Sequence, residues 1–286
     1  MQKIGFIGVG LVGTAFGVRL SQQGYKVIAV YDVSLATAQR FTKAVPDCQV
    51  CERAQDVADM AKFVFITTPD DIIARVAAQV NWHTGQSVIH CSGACSTDVL
   101  KPAKERGATV GSFHPCQTFA SIDQAVENLP GSTFAIEAEE PLLSVLKEMA
   151  TALRGSWLEL KAEDKALYHA SASIACNYFY TIVKLAADLW QNFDKSTAEA
   201  TQAFLPILRG SVNNIANVGL PGCLTGPIAR GDLDTIRKHL DALGKRAPSI
   251  VGLYKALGME TIPIALAKGT IDQSVAQKLR ELLKPD

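Results

Sequence analysis

The stretch Lys3-Ile4-Gly5-Phe6-Ile7-Gly8-Val9-Gly10-Leu11-Val12-Gly13 decides the fold of this chain. An apolar strand pattern leads into G-x-G-x-x-G, and a helical pattern follows it to about Gly24. Gly8 permits a tight turn, Gly10 lets a phosphate approach the backbone, and Gly13 lets the helix pack closely on the strand. The context predicts a dinucleotide-binding turn, and a strand–helix turn without a ligand is the alternative.

The start of this helix supplies the expected contact with the diphosphate. The backbone N–H groups of Gly10, Leu11 and Val12 have no partner inside the helix, because the first turn of a helix leaves its donors free. The helix dipole adds a partial positive charge at the same end. We therefore expect these N–H groups to bind the diphosphate.

The second predicted strand, Lys26 to Tyr31, ends at Asp32, about 20 residues after the last glycine of the motif. A carboxylate at that place accepts hydrogen bonds from the adenosine ribose and repels a 2′-phosphate. Val33 and Ser34 follow it and offer no cation. These residues favour NAD(H) over NADP(H).

Composition limits the possible functions. The chain has 286 residues, 48% of them hydrophobic, so one large or two ordinary domains with a buried core are expected. Lys plus Arg number 28, as do Asp plus Glu, which gives no general attraction to nucleic acid or to an anionic membrane. Because the first predicted strand begins at once, we expect no leader peptide.

The seven cysteines are scattered, and we expect them to be reduced thiols in the cytoplasm. Cys48 and Cys51 have the spacing of a redox motif. They lie in a short connecting strand rather than at a helix start, so a structural role is favoured. No metal site is expected.

Strands and helices alternate through the first half of the chain, which predicts a doubly wound, mostly parallel α/β sheet. Ser34 is expected to cap a helix that ends near Val45. Further strands are expected at 63–67, 87–91, 109–113, 131–137 and 157–160, and helices at 52–61, 70–80 and 141–154.

The pattern changes to helices alone after Lys161. Residues 163–192 have helical periodicity without glycine or proline, which predicts one helix of roughly 45 Å. Charged residues interrupt it, so it is not a membrane span. Further helices are expected at 196–218, 233–243, 247–257 and 273–283. We predict a dinucleotide-binding domain at 1–160 and a helical domain for substrate binding and dimerisation at 161–286.

Two loops at the carboxyl ends of predicted strands should also face the cofactor, since ligands bind at that edge of an open sheet. They are Thr67-Thr68-Pro69 and Ser92-Gly93. For the first loop, the alternative is that Asp70 caps the next helix, and this role does not exclude contact of the loop with the cofactor. His114 follows another strand end, where its imidazole could contact nicotinamide or substrate; a loop histidine bonded to backbone is the alternative.

Lys165, His169, Ser173 and Asn177 are four residues apart and form a polar stripe on the long helix. A buried stripe of this kind needs partners or a ligand. We expect the helix to begin at the cleft between the domains, which makes Lys165 and His169 candidate proton donors and Asn177 a candidate substrate ligand. A solvent-facing Lys165 and a satisfied core His169 are the alternatives.

A third candidate site is the loop Leu224-Thr225-Gly226-Pro227-Ile228-Ala229-Arg230-Gly231-Asp232. Two glycines and a proline restrain it, and Thr225 with Arg230 could bind a carboxylate, Arg230 by its bidentate fork. Asp232 fits the cap of the next helix. A structural loop with Arg230 paired to an acid is the alternative.

The whole chain resembles Rossmann-like oxidoreductases whose C-terminal helical domain is a domain of unknown function. These proteins are relatives of pyrroline-5-carboxylate reductase, 6-phosphogluconate dehydrogenase and ketopantoate reductase. The resemblance is carried by the glycine motif, by Ser112-Phe113-His114-Pro115-x-Gln117-Thr118-Phe119 and by Leu224-Thr225-Gly226-Pro227-x-x-Arg230-Gly231-Asp232.

The resemblance implies a nicotinamide cofactor, commonly NADPH, and a dimer built on the helical domain. An alternative class of ketopantoate reductase is similar in this layout. Ketopantoate reductases of the better-known class carry a lysine and, four residues on, an asparagine at the start of that domain. Lys165 matches the lysine, whereas His169 stands at the asparagine position. We expect reduction of a 2-oxo acid such as ketopantoate in the cleft between the domains; an imine or pyrroline-carboxylate reductase and a dinucleotide sensor without turnover are the alternatives.

Overall fold

The structure is a computed structural model that describes residues 3–284. The chain divides into two compact units, Met1–Cys176 and Asn177–Asp286. The first unit contains a sheet with helices, and the second is helical. The substrate-binding and dimerisation domain that we expect from residue 161 onward stays a prediction.

The first unit alternates strands and helices along the chain. Its strands are β1 (Lys3–Ile7), β2 (Lys26–Tyr31), β3 (Gln49–Val50), β4 (Phe63–Ile66), β5 (Ser87–His90), β6 (Thr109–Pro115), β7 (Thr133–Ala138) and β8 (Ser156–Glu159). Its α-helices are α1 (Leu11–Gln22), α2 (Leu35–Ala44), α3 (Ala54–Met60), α4 (Asp70–Gln79), α5 (Lys101–Glu105), α6 (Ile122–Asn128), α7 (Leu142–Ala152) and α8 (Lys165–Ala175). Short 3₁₀ turns precede α5 and α8, at Thr97–Leu100 and Ala162–Asp164.

The eight strands form one sheet in the order β3-β2-β1-β4-β5-β6-β7-β8. Every neighbouring pair is parallel except β6 and β7, which are antiparallel. The predicted doubly wound, mostly parallel sheet is confirmed. The chain order reverses between β1 and β4, and this switch point is where open α/β sheets bind ligands.

Apolar side chains pack on both faces of the sheet, as a mostly parallel sheet requires. On one face Phe6 stacks on Phe65 with ring centroids 5.2 Å apart, and Phe113 stacks on Phe134 at 4.6 Å. Phe16 of α1 contacts Phe65, Phe113 and Phe134. This aromatic cluster holds α1 against the strands and so fixes the glycine turn that precedes it.

The second unit contains α9 (Asn177–Asp188), α10 (Thr197–Val218), α11 (Leu233–Arg246), α12 (Pro248–Lys268) and α13 (Gln273–Leu283), with a 3₁₀ turn at Leu189–Phe193. Its core includes Ile236 of α11, Ile262 of α12 and Leu279 of α13. Helix α12 is long and apolar enough to cross a membrane, but length and composition alone are weak evidence for a membrane-spanning helix. It supplies Ile262 to this core.

The expectation of a single helix from 163 to 192 is wrong. A 3₁₀ turn, α8, α9 and a second 3₁₀ turn occupy this stretch, and Cys176 separates α8 from α9 with φ −114° and ψ −66°. No glycine or proline marks the break, so the helical periodicity gave no sign of it.

Several other boundaries differ from the predicted ones. β6 continues through His114 and Pro115, which were expected to follow it, and α12 runs to Lys268. Helices α5 and α6 were not expected. Ser34 caps α2 and Asp232 caps α11, as predicted. Asp70 is not a cap: it is the first residue of α4, and no side chain caps that helix.

Candidate functional site

The three glycines of the first turn have three different surroundings. Gly8 has φ +85°, and a β-carbon there would lie 2.8 Å from Thr68 Cγ2. A β-carbon on Gly13 would collide with Thr67 Oγ1 and lie 2.7 Å from the Gly8 carbonyl oxygen. A β-carbon on Gly10 would have no protein atom within 4 Å. Gly8 and Gly13 therefore meet needs of the fold, whereas the open space beside Gly10 fits a ligand that approaches the backbone.

The turn is held by hydrogen bonds to its own carbonyl groups. Thr67 Oγ1 donates to the Gly8 carbonyl, and Thr14 Oγ1 donates to the Val9 carbonyl at 2.9 Å. Gly10 is the N-cap of α1, and no side chain caps this end of the helix. The first N–H groups of α1, which include those of Leu11 and Val12, are thus left for an anion.

Asp32 follows β2 and its carboxylate turns toward the glycine turn. Oδ2 accepts a hydrogen bond from the Val9 N–H at 2.8 Å, and Oδ1 accepts one from the Ser34 N–H at 2.9 Å. Each carboxylate oxygen can accept more than one hydrogen bond, so ribose hydroxyls could still donate to it. Val33, beside it, is exposed.

A cavity of about 800 Å³ lies along these residues. The glycine turn, the end of β2 and the loop after β4 line this cavity. Arg53 and Arg75, which were not among the predicted site residues, also line it. Arg53 is paired with Asp56, at 2.6 Å. The predicted cofactor residues that line the cavity are Gly8, Gly10, Asp32, Val33, Thr67, Thr68 and Pro69.

The loop after β5 is organised around Ser92, and it is tied to the loop after β4. Ser92 Oγ donates to Asp70 Oδ2 at 2.7 Å and accepts from the N–H groups of Ala94 and Cys95. His90, fully buried, lies with Nδ1 3.2 Å from the Ser92 N–H and Nε2 3.3 Å from the Ser96 carbonyl oxygen. Two of the predicted cofactor loops are thus fixed relative to each other.

Lys165 is the first residue of α8, and its side chain is only 1% exposed. Its ammonium donates to Ser112 Oγ of β6 and lies 3.8 Å from Glu137 Oε2 of β7. Ser112 and Glu137 face each other across the antiparallel pair. Glu137 also accepts from the Thr97 hydroxyl at 2.7 Å and from its N–H. The alternative of a solvent-facing Lys165 is therefore wrong.

His114 and His169 meet at Gly93. A β-carbon on Gly93 would lie 2.8 Å from His114 Nε2 and 2.7 Å from His169 Cδ2. The two imidazole centroids are 6.0 Å apart. On its other side His114 Nδ1 lies 2.9 Å from the Tyr168 hydroxyl oxygen. Strand β6, helix α8 and the loop after β5 thus bring three predicted site residues together within the first unit.

Burial changes the protonation of this cluster. Loss of solvent, helped by the nearby His169 and Lys165, lowers the pKa of His114 to about 4, so its imidazole is neutral at pH 7. Burial also lowers the pKa of Lys165, against the opposing effect of Glu137. Burial, with a contribution from Cys116, raises the pKa of Tyr168, so its hydroxyl keeps its proton. His90 is neutral for the same reason, with a pKa of about 3.

The remaining predicted residues belong to the second unit. Asn177 begins α9, and Thr225 and Arg230 lie in the loop before α11. Arg230 is exposed, and Nη2 lies 3.8 Å from Asp232 Oδ2. Their part in substrate binding stays a prediction.

Sequence reasoning did not single out Ser112, Glu137 or Tyr168 as site residues. Ser112 sits inside the quoted Ser112–Phe119 motif, which was a usable signal. Glu137 and Tyr168 carried none, because their importance comes from partners 28 and 54 residues away, Lys165 and His114.

All seven cysteines are unpaired thiols, and burial raises the pKa of Cys48 to about 12. A thiol with so high a pKa is a poor nucleophile, which agrees with a structural role. Within residues 3–284 there is no cluster of three or more His, Cys, Asp or Glu that could hold a metal ion.

The order of the strands and the glycine turn define a Rossmann-like, dinucleotide-binding type of fold. The Rossmann-like domain family matches residues 1–115, and the family described as Domain of unknown function (DUF2520) matches residues 132–261. The two matches follow each other along the chain in this order, and the resemblance drawn from the sequence is confirmed. No curated protein sequence matches the chain significantly.

Solved structures of the same fold span the whole chain. A candidate NADP oxidoreductase from Bacteroides fragilis is 22% identical, with a TM-score of 0.71 over 92% of this chain and 98% of that one. The 1-pyrroline-5-carboxylate reductase of Streptococcus pyogenes is 16% identical, with a TM-score of 0.61 over 98% of each chain. A reductive aminase from Aspergillus terreus in complex with NADPH and ethyl-5-oxohexanoate is 13% identical, with a TM-score of 0.63 over 99% and 93%.

Proposed function

We propose that this protein is an oxidoreductase that transfers a hydride between a nicotinamide cofactor and a small carboxylate-bearing substrate. The observation that carries the proposal is the pairing of two features in one sheet unit. One is the open space beside Gly10 at the uncapped start of α1. The other is the pair of His114 and His169 at Gly93. This glycine follows Ser92, whose hydroxyl donates a hydrogen bond to Asp70.

The residues present fit a dinucleotide. Leu11 and Val12 at the start of α1 would hold the diphosphate, and Asp32 would accept from a ribose. The loops at Thr67–Pro69 and Ser92–Gly93 would line the remaining part of the cofactor. When bound, the nicotinamide supplies the hydride, and the protein supplies orientation and a proton.

The choice between NAD(H) and NADP(H) is part of the proposal. Asp32 favours NAD(H), because its carboxylate repels a 2′-phosphate. Arg53 and Arg75 line the same cavity and could offset that charge, although Asp56 already engages Arg53. The family resemblance and the NADPH-bound aminase support NADP(H). We keep the slight preference for NAD(H).

Two roles in the reaction follow from the charge state of the cluster. Neutral His114 has no imidazolium proton to give at pH 7, but it can donate a hydrogen bond to the substrate oxygen, and such a bond polarises a carbonyl. Burial lowers the pKa of Lys165, which makes its ammonium a stronger acid than that of an exposed lysine. We therefore assign His114 to orienting the substrate and Lys165 to proton donation, with His169 beside both groups.

The substrate that we propose is a 2-oxo acid such as ketopantoate. Thr225 and Arg230 would bind its carboxylate, with Asn177 as a further polar ligand. The second candidate is an imine or pyrroline-carboxylate reductase, and the fold shared with a reductive aminase and a pyrroline-5-carboxylate reductase favours it. The third is a dinucleotide sensor without turnover.

One assay separates these three functions. The purified protein is mixed with NADH or NADPH and a panel of 2-oxo acids and cyclic imines, and loss of absorbance at the reduced nicotinamide band is followed. Steady oxidation with 2-oxo acids supports the main proposal, and oxidation with imines alone supports the second. Cofactor binding without turnover on either class leaves a sensor.

We further propose a homodimer in the cytoplasm, without membrane or nucleic-acid partners. Exposed apolar side chains are concentrated on two helices of the second unit: Phe179 and Ile182 of α9, and Ile207, Val212 and Ile215 of α10. A concentration of this kind marks protein interfaces. The unpaired cysteines support a reducing compartment.

A further inference from the structure

We propose that Tyr168 is a positioning residue that fixes the tautomer of His114, so that the imidazole proton lies on Nε2 and faces Gly93. The inference extends the role that the proposed function gives to His114. It concerns a side chain that no sequence motif marked, and it can be tested on the protein without cofactor or substrate.

The geometry around His114 leaves each ring nitrogen a different neighbour. Nδ1 lies 2.9 Å from the Tyr168 hydroxyl oxygen, and the two rings meet edge to face at 85° with centroids 5.6 Å apart. Nε2 lies on the opposite side of the ring, against the position where Gly93 lacks a β-carbon. His169, Lys165 and His90 are further titratable groups near the ring. The Cys116 thiol is a second hydrogen-bond neighbour of the Tyr168 hydroxyl.

The protonation states are compatible with a hydrogen bond that the Tyr168 hydroxyl donates and Nδ1 accepts. A neutral imidazole carries one proton, and one of its nitrogens must therefore accept. The Tyr168 hydroxyl keeps its proton, because burial raises its pKa. If this hydroxyl donates to Nδ1, the imidazole proton must sit on Nε2, which is the nitrogen directed at the loop after β5.

Orientation by a hydrogen bond to the far nitrogen is the usual way in which a protein selects a histidine tautomer. Without the hydroxyl, Nδ1 has no other hydrogen-bond partner among residues 3–284, and the Nδ1–H form becomes accessible. In that form Nε2 carries a lone pair and no proton, so it cannot donate a hydrogen bond to a substrate oxygen. Tyr168 thus decides whether His114 presents a donor or an acceptor.

The test uses Tyr168→Phe, which removes one oxygen and keeps the ring that packs beside His114. Tyr178→Phe is the matched control, because it removes the same atom from an exposed tyrosine of α9. The full chain is labelled with ¹⁵N in its five histidines, and long-range ¹H–¹⁵N spectra at pH 7 give the protonation of each ring nitrogen. The spectrum of His114→Gln identifies the signals of His114.

We expect His114 to be protonated on Nε2 in the wild type and in Tyr178→Phe, and to gain the Nδ1–H form in Tyr168→Phe. With an active substrate, kcat of Tyr168→Phe should fall roughly 10- to 100-fold, the range typical of partners that orient a histidine, with the cofactor dissociation constant unchanged. A wild-type His114 protonated on Nδ1, or identical tautomers in Tyr168→Phe and the wild type, would overturn the inference. A tautomer shift in a protein without turnover on any substrate would instead contradict the proposed function and leave the inference standing.

Discussion

The ammonium of Lys165 lies 3.8 Å from Glu137 Oε2 and donates a hydrogen bond to Ser112. The lysine side chain is only 1% exposed to solvent. This pair joins the start of α8 to two neighbouring strands of the sheet. A buried charge is tolerated only with a partner, because the protein interior solvates it poorly. Lys165 therefore has a structural role whether or not it also donates a proton.

The first prediction separates these two roles of Lys165. Lys165→Met should reduce the free energy of unfolding by about 3 kcal/mol, because it leaves the Glu137 carboxylate without its cation. Adding Glu137→Gln should recover much of this loss. If Lys165 donates the proton, kcat of the double variant should be about 10²–10⁴-fold below that of Glu137→Gln alone.

Urea unfolding and initial rates measure both effects. A double variant with nearly the turnover of Glu137→Gln would remove Lys165 from the proton-donor role. Equal stability of Lys165→Met and the wild type would show that the ion pair contributes little to the fold.

The second prediction concerns pH. In the unfolded chain His90 and His114 gain protons near pH 6.5, whereas the folded protein keeps them neutral down to about pH 3 and about pH 4. Between these values the unfolded state binds more protons, so the stability present above pH 6.5 should be lost as pH falls. Urea unfolding at pH 7, 6 and 5 measures the slope. His114→Gln should reduce the slope of the free energy of unfolding against pH by at most about 1.4 kcal/mol per pH unit. An unchanged slope would contradict a buried neutral His114.

The third prediction compares two glycines of the first turn. Gly10→Ala should leave the thermal midpoint nearly unchanged, because its β-carbon meets no protein atom, yet weaken cofactor binding at least tenfold if the diphosphate lies there. Gly13→Ala should instead destabilise the fold through its collision with Thr67 and the Gly8 carbonyl. Calorimetry and fluorescence titration with NADH measure these outcomes. Full cofactor affinity in Gly10→Ala would place the diphosphate elsewhere.

The fourth prediction addresses the choice of cofactor. The wild type should bind NADH more tightly than NADPH, and Asp32→Asn should improve NADPH binding about tenfold or more, since a nearby like charge costs about 1–4 kcal/mol. Arg75→Ala is the companion variant, and it should weaken NADPH more than NADH if this arginine contacts a 2′-phosphate. Fluorescence titrations give the dissociation constants. Tighter NADPH binding by the wild type would refute the preference assigned to Asp32.

The fifth prediction concerns assembly. The protein should be a dimer at micromolar concentration, and Ile207→Glu on α10 should shift it toward monomer, because an interface buries such a side chain and cannot easily accept an unpaired charge. Asn213→Glu, on the same helix, is the control for added charge. Light scattering measures the mass. A monomeric wild type, or a dimer unaffected by Ile207→Glu, would count against α10 as the interface.

The sequence by itself determined the sheet and the glycine turn. Gly8, Gly10, Gly13 and Asp32 lie within one strand–helix–strand segment, and local spacing is enough to define their geometry. The same holds for the caps at Ser34 and Asp232, since a capping side chain bonds to a backbone N–H a few residues on.

Only the tertiary structure decided how the polar cluster is connected. Lys165 and Ser112 are 53 residues apart, and His114 and Tyr168 are 54 residues apart. The sequence marked Lys165 and His114 as chemically suited, but it could not tell that one is enclosed by Ser112 and Glu137 while the other is held by a tyrosine hydroxyl. Local periodicity reports which face of an element is apolar, whereas these contacts depend on strand order and on the antiparallel pairing of β6 with β7. The break at Cys176 was hidden because no glycine or proline marks it in the sequence.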